Sequence, residues 1–210
     1  MMKKNLPFFP LNLVAFPGEE LNLHVFEPRY KQLVNECLDQ GTTFGIPAYI
    51  HNKLELGTEV EITELVKTYS DGRMDIRTKG LAIFEVLDYE NPMEGKLYSG
   101  GMVEIQKINL EVDPIKVGKI KSIMKDFYKL LKVENPYLAD EFNTSFSLAH
   151  KIGLSLEEEY QLLKISEETA RLDFILEHLE RTTPVVKELE KTKEKIAMNG
   201  HFKKLGPLDF

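Results

Sequence analysis

Between residues 20 and 108 the apolar positions recur with period two. Leu21, Leu23 and Val25 alternate with Asn22, His24 and Phe26, the pattern of a strand with one buried face. Glu59-Val-Glu-Ile62 alternates again, with Val60 and Ile62 on one side. Ser70-Asp-Gly72 then reads as the turn of a hairpin whose second strand is Arg73–Thr78. Lys79-Gly80 is expected to interrupt the pattern before a more buried strand at Leu81–Leu87. A last strand covers Tyr98 to Ile108, where Gly100 and Gly101 predict a bulge or a close backbone approach. A meander of this many short strands must curl or close to hide its edges, so a small closed or half-closed barrel is expected.

One helix interrupts the strands. Pro28 suits a first helical position, Tyr30, Leu33, Val34, Cys37 and Leu38 follow at helical spacing, and Gly41 can end the helix. Cys37 therefore lies on the apolar stripe and reads as a buried structural thiol.

After residue 112 the period changes to that of helices. Asp113 before Pro114 is a start signal, and Ile120, Ile123, Met124, Phe127, Leu130 and Leu131 form one face. Asn135-Pro136 is expected to break that helix. A short helix around Leu148, Ala149 and Ile152 should end at Gly153, and Ser155-Leu-Glu-Glu158 has the spacing of a capping box. Ser166 is read as the cap of a further helix with Leu172, Ile175, Leu176 and Leu179 on its face. Thr183-Pro184 either kinks that helix or starts a new one ending near Asn199-Gly200. Strands first and helices afterwards indicate an α+β chain with segregated layers.

Composition narrows the function classes. With 210 residues, 42% of them hydrophobic, the chain can bury a sizeable core without a disulfide or a metal. The single cysteine excludes an internal disulfide framework and a cysteine-based zinc cluster. Lys3 and Lys4 before an apolar stretch imitate a signal peptide, but Pro7, Pro10 and Asn12 interrupt it and no small-residue cleavage site follows, so the cytoplasm is expected. No apolar run approaches the ~20 residues of a membrane span, and no membrane partner is expected.

The net charge is −7, of which residues 1–112 carry −6. Binding a polyanion needs clustered Lys and Arg, and only Lys191 to Lys204 offers such a cluster. Its bland reading is a solvated helix face, and nucleic acid is not the expected partner. No phosphate-loop, dinucleotide or nucleophile-elbow motif occurs. His24, His51, His150, His178 and His201 are scattered, so no metal site, cofactor or catalytic constellation is expected. His24 reads as a packed or edge histidine.

The stretch Leu6-Pro-Phe-Phe-Pro-Leu-Asn-Leu-Val-Ala-Phe-Pro-Gly18, followed by Leu21-Asn-Leu-His-Val-Phe-Glu-Pro-Arg-Tyr30, resembles the opening of the Lon protease N-terminal (substrate-binding) domain family, also seen in cereblon. That family begins with a Leu-Pro-Leu-Phe-Pro-Leu strand, a Phe-Pro-Gly turn and a His-Ile-Phe-Glu-Pro-Arg-Tyr junction. Phe44-Gly-Ile46, Asp71-Gly72, Lys79-Gly-Leu81, Ser147–Glu158 and Leu162–Leu172 are similar to later parts of it, so the resemblance spans residues 6–190. It implies a PUA-like β pseudo-barrel with one inserted helix, followed by a C-terminal helical bundle. The expected division is a barrel at 1–112, a helical subdomain at 113–198 and a flexible tail at 199–210.

The resemblance further implies a stand-alone substrate-binding domain without ATPase or protease modules, not itself an enzyme. It would recognise unfolded or specific protein substrates and be linked to a protease as partner; the oligomeric state stays open. The candidate peptide- or partner-binding residues are Phe16 at the turn, Glu27, Arg29 and Tyr30 at the strand–helix junction, and Phe44. Each also has a structural reading. Arg29 beside Glu27 either clamps the junction or offers a fork to a peptide carboxylate. The alternative function is an RNA-binding PUA-like module, which a contiguous positive groove would favour. A hydrolase would require carboxylates or histidines converging in a pocket.

Overall fold

The computed structural model describes residues 2–132 and 144–202, the last five of these as backbone only. The break expected at Asn135-Pro136 and the tail beyond residue 202, with Lys203 and Lys204, lie outside the described residues. The chain divides into two compact units, Met1–Leu110 with Thr144–Glu168, and Glu111–Asn143 with Thr169–Phe210.

The first unit holds six strands: β1 (Met2–Phe8), β2 (Glu20–Val25), β3 (Phe44–Pro47), β4 (Leu56–Thr68), β5 (Met74–Val86) and β6 (Ser99–Ile105). Helix α1 (Pro28–Gln40) lies between β2 and β3. The strand order is β2-β5-β4-β3-β1-β6, with β6 also paired to β5. That last pairing closes β5-β4-β3-β1-β6 into a five-stranded barrel and leaves β2 as an added strand on β5. The β1–β3 pairing is parallel and all others are antiparallel. The chain is thus α+β, with a barrel, an inserted helix and later helices, as its patterning indicated.

The length of β5 makes closure and addition compatible. Met74–Lys79 pair with β2, while Phe84–Val86 pair with β6 along the same edge. Lys79-Gly80, expected as an interruption, is instead the interior of one continuous strand. Gly80 marks the changeover between the two partners. Its N–H donates to the Glu19 carbonyl (2.8 Å) and its carbonyl accepts from the Gly18 N–H (2.9 Å). A Cβ at this position would fall on the Phe16 carbonyl oxygen. The residue is glycine because the Phe16–Glu19 turn lies directly against the strand, not because the strand ends. The β4–β5 hairpin turns where expected, with Gly72 at φ +78° and the Tyr69 N–H donating to the Arg73 carbonyl.

Helix α1 forms as its spacing predicts. Pro28 opens it, and Gly41 ends it in the left-handed conformation with its N–H donating to the Cys37 carbonyl. Tyr30, Leu33, Val34 and Cys37 are buried, in one cluster with Val25, Phe44, Ile46, Val60, Met74 and Ile76. Burial pushes the Cys37 thiol up, away from the reactive thiolate. Leu6, Phe8, Phe84 and Val103 form a second cluster.

Residues 144–168 belong to this unit although they follow α2 (Pro114–Leu130) in the chain. They form a 3-10 helix, Ser145–Lys151, and α3 (Leu156–Lys164), the latter opened by the expected capping box of Ser155 and Glu158. Phe146 stacks on Phe16 with ring centroids 5.2 Å apart, and the Asn109 N–H donates to the Ser166 carbonyl. Ser166 is therefore not a helix cap. The next helix, α4 (Glu168–Phe202), begins two residues later, because Ser166 and Glu167 run beside Asn109.

The second unit contains α2 and most of α4. Asp113 caps α2, its carboxylate accepting from the backbone N–H groups of Ile115 and Lys116. Lys116–Asp173 and Lys119–Glu180 ion pairs, each 2.6 Å, join α2 to α4. Pro184 lies inside α4, which continues through it to Phe202, so no new helix starts there. The Thr183 hydroxyl donates to the Leu179 carbonyl in the turn before the proline.

Candidate functional site

Four of the five residues singled out in the sequence lie in one stack, and the fifth is elsewhere. Arg29 and Tyr30 occupy the first turn of α1, and Glu27 is its N-cap residue. The Glu27 side chain makes no cap hydrogen bond, which leaves its carboxylate to Arg29. The Arg29 Nε donates to Glu27 Oε2 at 2.9 Å, and Nη2 lies 2.7 Å from the same oxygen. Held this way, the guanidinium carbon sits 4.7 Å from the centre of the Tyr30 ring. Tyr30 stacks on Phe9 at 3.8 Å, and Phe9 packs on Phe44 at 6.1 Å.

Burial grades along that stack. Phe44 is fully buried, Tyr30 nearly so, and Arg29 is exposed. Phe44 therefore supports the site from below and presents no surface of its own. Phe16 is also fully buried, in contact with Phe146 and His150 rather than with the stack. The exposed aromatic of the β2–α1 junction is Phe26, at 59%, stacked beside His24 with 6.0 Å between ring centres. Its side chain alternates to the outer face of the strand, opposite Val25.

Arg29 and Tyr30 line an open cleft of about 360 Å³, whose other walls include Leu11, Asn12, Tyr49 and Tyr89. Tyr49 and Tyr89 are 46% and 43% exposed. Tyr49 follows β3 and donates to Asn52 at 3.2 Å, while Tyr89 follows β5 and stacks on Phe8 at 6.3 Å. Burial raises the Tyr30 phenol above its usual pKa, and the Arg29 charge lowers it by less; the ring stays neutral. Arg29 uses only Nε and Nη2 on Glu27, so Nη1 is available to a carboxylate or a backbone carbonyl. The cleft offers flat aromatic surface, hydroxyls and one fixed cation, a combination suited to an extended peptide. No local pattern in the sequence marks Tyr49 and Tyr89: two loops distant in the chain bring them to the cleft that Arg29 lines.

A second charged group lies in the same unit, on Phe16. His150 Nε2 is 3.1 Å from Glu19 and its Nδ1 is 2.7 Å from Glu159. Both ring nitrogens face carboxylates, so the ring must carry two protons. The hydrogen bond to Glu19 and the charges of both carboxylates outweigh desolvation and push the pKa of His150 up to about 9. Glu19 also accepts from the Phe16 N–H. This arrangement ties the Phe16–Glu19 turn to the 3-10 helix and α3. Among the described residues no group of three His, Cys, Asp or Glu side chains is placed to hold a metal ion, and no helix is long and apolar enough to cross a membrane.

Residues 5–181 match the family described as the ATP-dependent protease La (LON) substrate-binding domain. The Lon protease of Anaeromyxobacter dehalogenans is 26% identical over 206 residues, covering 87% of this chain; the chain spans only 24% of that protein's length. The crystal structure of a Lon N-terminal domain protein from Xanthomonas campestris aligns with a TM-score of 0.64 and 26% identity, covering 82% of this chain and 97% of that one. The N-terminal domain of the Lon protease of Mycobacterium avium complex aligns equally well, with a TM-score of 0.64. It is 13% identical, covers 84% of this chain and 98% of that one, and speaks for the fold alone.

Proposed function

We propose that this chain, which belongs to the Lon substrate-binding domain family, is a non-catalytic recognition domain acting in the cytoplasm. It takes exposed segments of protein substrates into the cleft of Arg29, Tyr30, Tyr49 and Tyr89 and presents them to an ATP-dependent protease. The family that residues 5–181 match is described as a substrate-binding domain, which supports a recognition role. The observation that carries the assignment to this cleft is the Glu27–Arg29–Tyr30 stack, in which a cation is held over an aromatic ring at the mouth of an open groove. The net charge of −6 over residues 1–112 supports a protein ligand over a nucleic acid.

Fluorescence anisotropy tests the reading, with a labelled, permanently unfolded polypeptide and a single-stranded RNA titrated in parallel at low and high salt. Saturable polypeptide binding that survives high salt is expected. Arg29→Ala and Tyr89→Ala should each weaken it by roughly fivefold to thirtyfold, the usual effect of removing an Arg or aromatic anchor worth about 1–2 kcal/mol. Binding of RNA alone, lost steeply with salt, would overturn the proposal.

A further inference from the structure

We infer that the free edge of β2 is a second polypeptide-binding site, one that takes an extended segment by adding it to the sheet as a strand. The inference rests on the protein-binding reading above but concerns a different surface.

The backbone direction of β5 fixes that of β2. The Gly80 N–H and carbonyl both bond to the Gly18–Glu19 backbone, so the backbone of Gly80 faces β2. Alternation then directs Thr78, Ile76 and Met74 towards β2, and Lys79, Arg77, Asp75 and Arg73 towards β4. Three side observations agree. The Thr63 hydroxyl reaches the Arg77 carbonyl, the Tyr69 N–H reaches the Arg73 carbonyl, and the Thr78 hydroxyl reaches the Leu21 carbonyl. In the observed register Leu21, Leu23 and Val25 lie opposite Thr78, Ile76 and Met74. Their backbone groups are the ones spent on β5, and those of Glu20, Asn22 and His24 point the other way.

Among the described residues no strand lies on that side: β2 pairs only with β5 and ends the strand order. Among the described residues nothing accepts from or donates to the backbone of Glu20, Asn22 or His24 beyond β5. All three residues are exposed. Of the usual edge protections β2 has neither proline nor bulge; its one carboxylate is Glu20, and His24 is held by Asp75 at 2.6 Å.

A row of unpaired N–H and C=O groups at strand spacing is satisfied by one kind of partner, another extended backbone. Its flanks add a preference. Half-buried Leu21 and Leu23 border one face and the exposed Phe26 extends the other, so a segment with apolar residues at every second position fits best. Such segments are what an unfolded protein exposes and a folded one hides.

The test is amide hydrogen exchange on the intact chain, with and without a capped peptide of alternating valine and threonine as probe. Without peptide, the Asn22 and His24 amides should exchange far faster than those of Leu21 and Leu23. With peptide, they should slow at least fivefold while the rest of β2 is unchanged. Asn22→Pro removes one outward N–H and leaves the β5 pairing intact; it should weaken peptide binding about tenfold with an unchanged circular dichroism spectrum. If that variant fails to fold, His24→Pro and the exchange data on the unmodified chain still decide.

Peptide binding without protection of Asn22 and His24, or binding lost through Arg29→Ala alone, would overturn the inference and leave the cleft as the sole site. Protection that grows with protein concentration in the absence of peptide would also overturn it, because the occupant would be a second copy. No binding of any polypeptide would defeat both this inference and the proposed function.

Discussion

Raising the pH should loosen the clamp that His150 forms on Glu19 and Glu159. The folded pKa of His150 is about 9, against 6.5 for a free imidazole. A group whose pKa is raised by folding contributes stability that is complete below its unfolded value and is lost as pH climbs through its folded value. The window is therefore pH 6.5 to 9. The full shift corresponds to about 3 kcal/mol, but the His150 side chain is 37% exposed and solvent screens both pairs. A contribution of about 1–2 kcal/mol is the reasonable expectation.

The assay is urea unfolding followed by circular dichroism at the two ends of that window, for the wild type and His150→Gln. Wild type should lose roughly 0.5–1 M in its urea midpoint between them. His150→Gln should start lower and show that much less dependence on pH, and the difference between the two proteins isolates this residue from every other titrating group. Proton NMR of the imidazole gives the pKa directly. Titration of His150 near 6.5, or identical pH dependence in wild type and variant, would refute the argument that two carboxylates hold the ring doubly protonated.

Two further changes probe the frame that holds the site. Gly80→Ala places a methyl group against the Phe16 carbonyl and should cost about 1–3 kcal/mol or more in thermal or urea unfolding; wild-type stability would show that the Phe16–Glu19 turn moves away freely. Leu33→Ala empties a fully buried position of α1 and should cost about 2–5 kcal/mol, measured in the same way. A loss under 1 kcal/mol would mean that α1 does not anchor the junction bearing Arg29.

Much of this molecule was legible locally. The helix opened by Pro28 and closed by Gly41, the hairpin at Gly72, the cap of Asp113 and the capping box of Ser155 and Glu158 all depend on neighbours a few residues apart. Period-two and period-3.6 patterning could therefore reveal them. Failures occurred where a residue serves a distant partner. Gly80 reads as a break, yet it stays within a strand because the Phe16 carbonyl lies on it. Ser166 reads as a cap, yet it pairs alongside Asn109. At Pro184 local pattern leaves a kink and a new start open, and α4 runs on through it.

The candidate site divides along the same line. Glu27, Arg29 and Tyr30 are contiguous and carry a family resemblance, so sequence alone brought them forward. It could not say that Phe44 and Phe16 are buried, since an aromatic beside a turn has the same letters whether it faces water or the core. Tyr49 and Tyr89 reach Arg29 only because the barrel closes, and His150 finds Glu19 and Glu159 only because residues 144–168 pack with the barrel that precedes them. Sequence by itself determined the order of strands and helices, the caps and turns, and the family. The tertiary structure decided which aromatics stay exposed, which carboxylates meet a histidine and which strand keeps an open edge. Local periodicity sets the elements, but burial and charge pairing arise from contacts across dozens of residues.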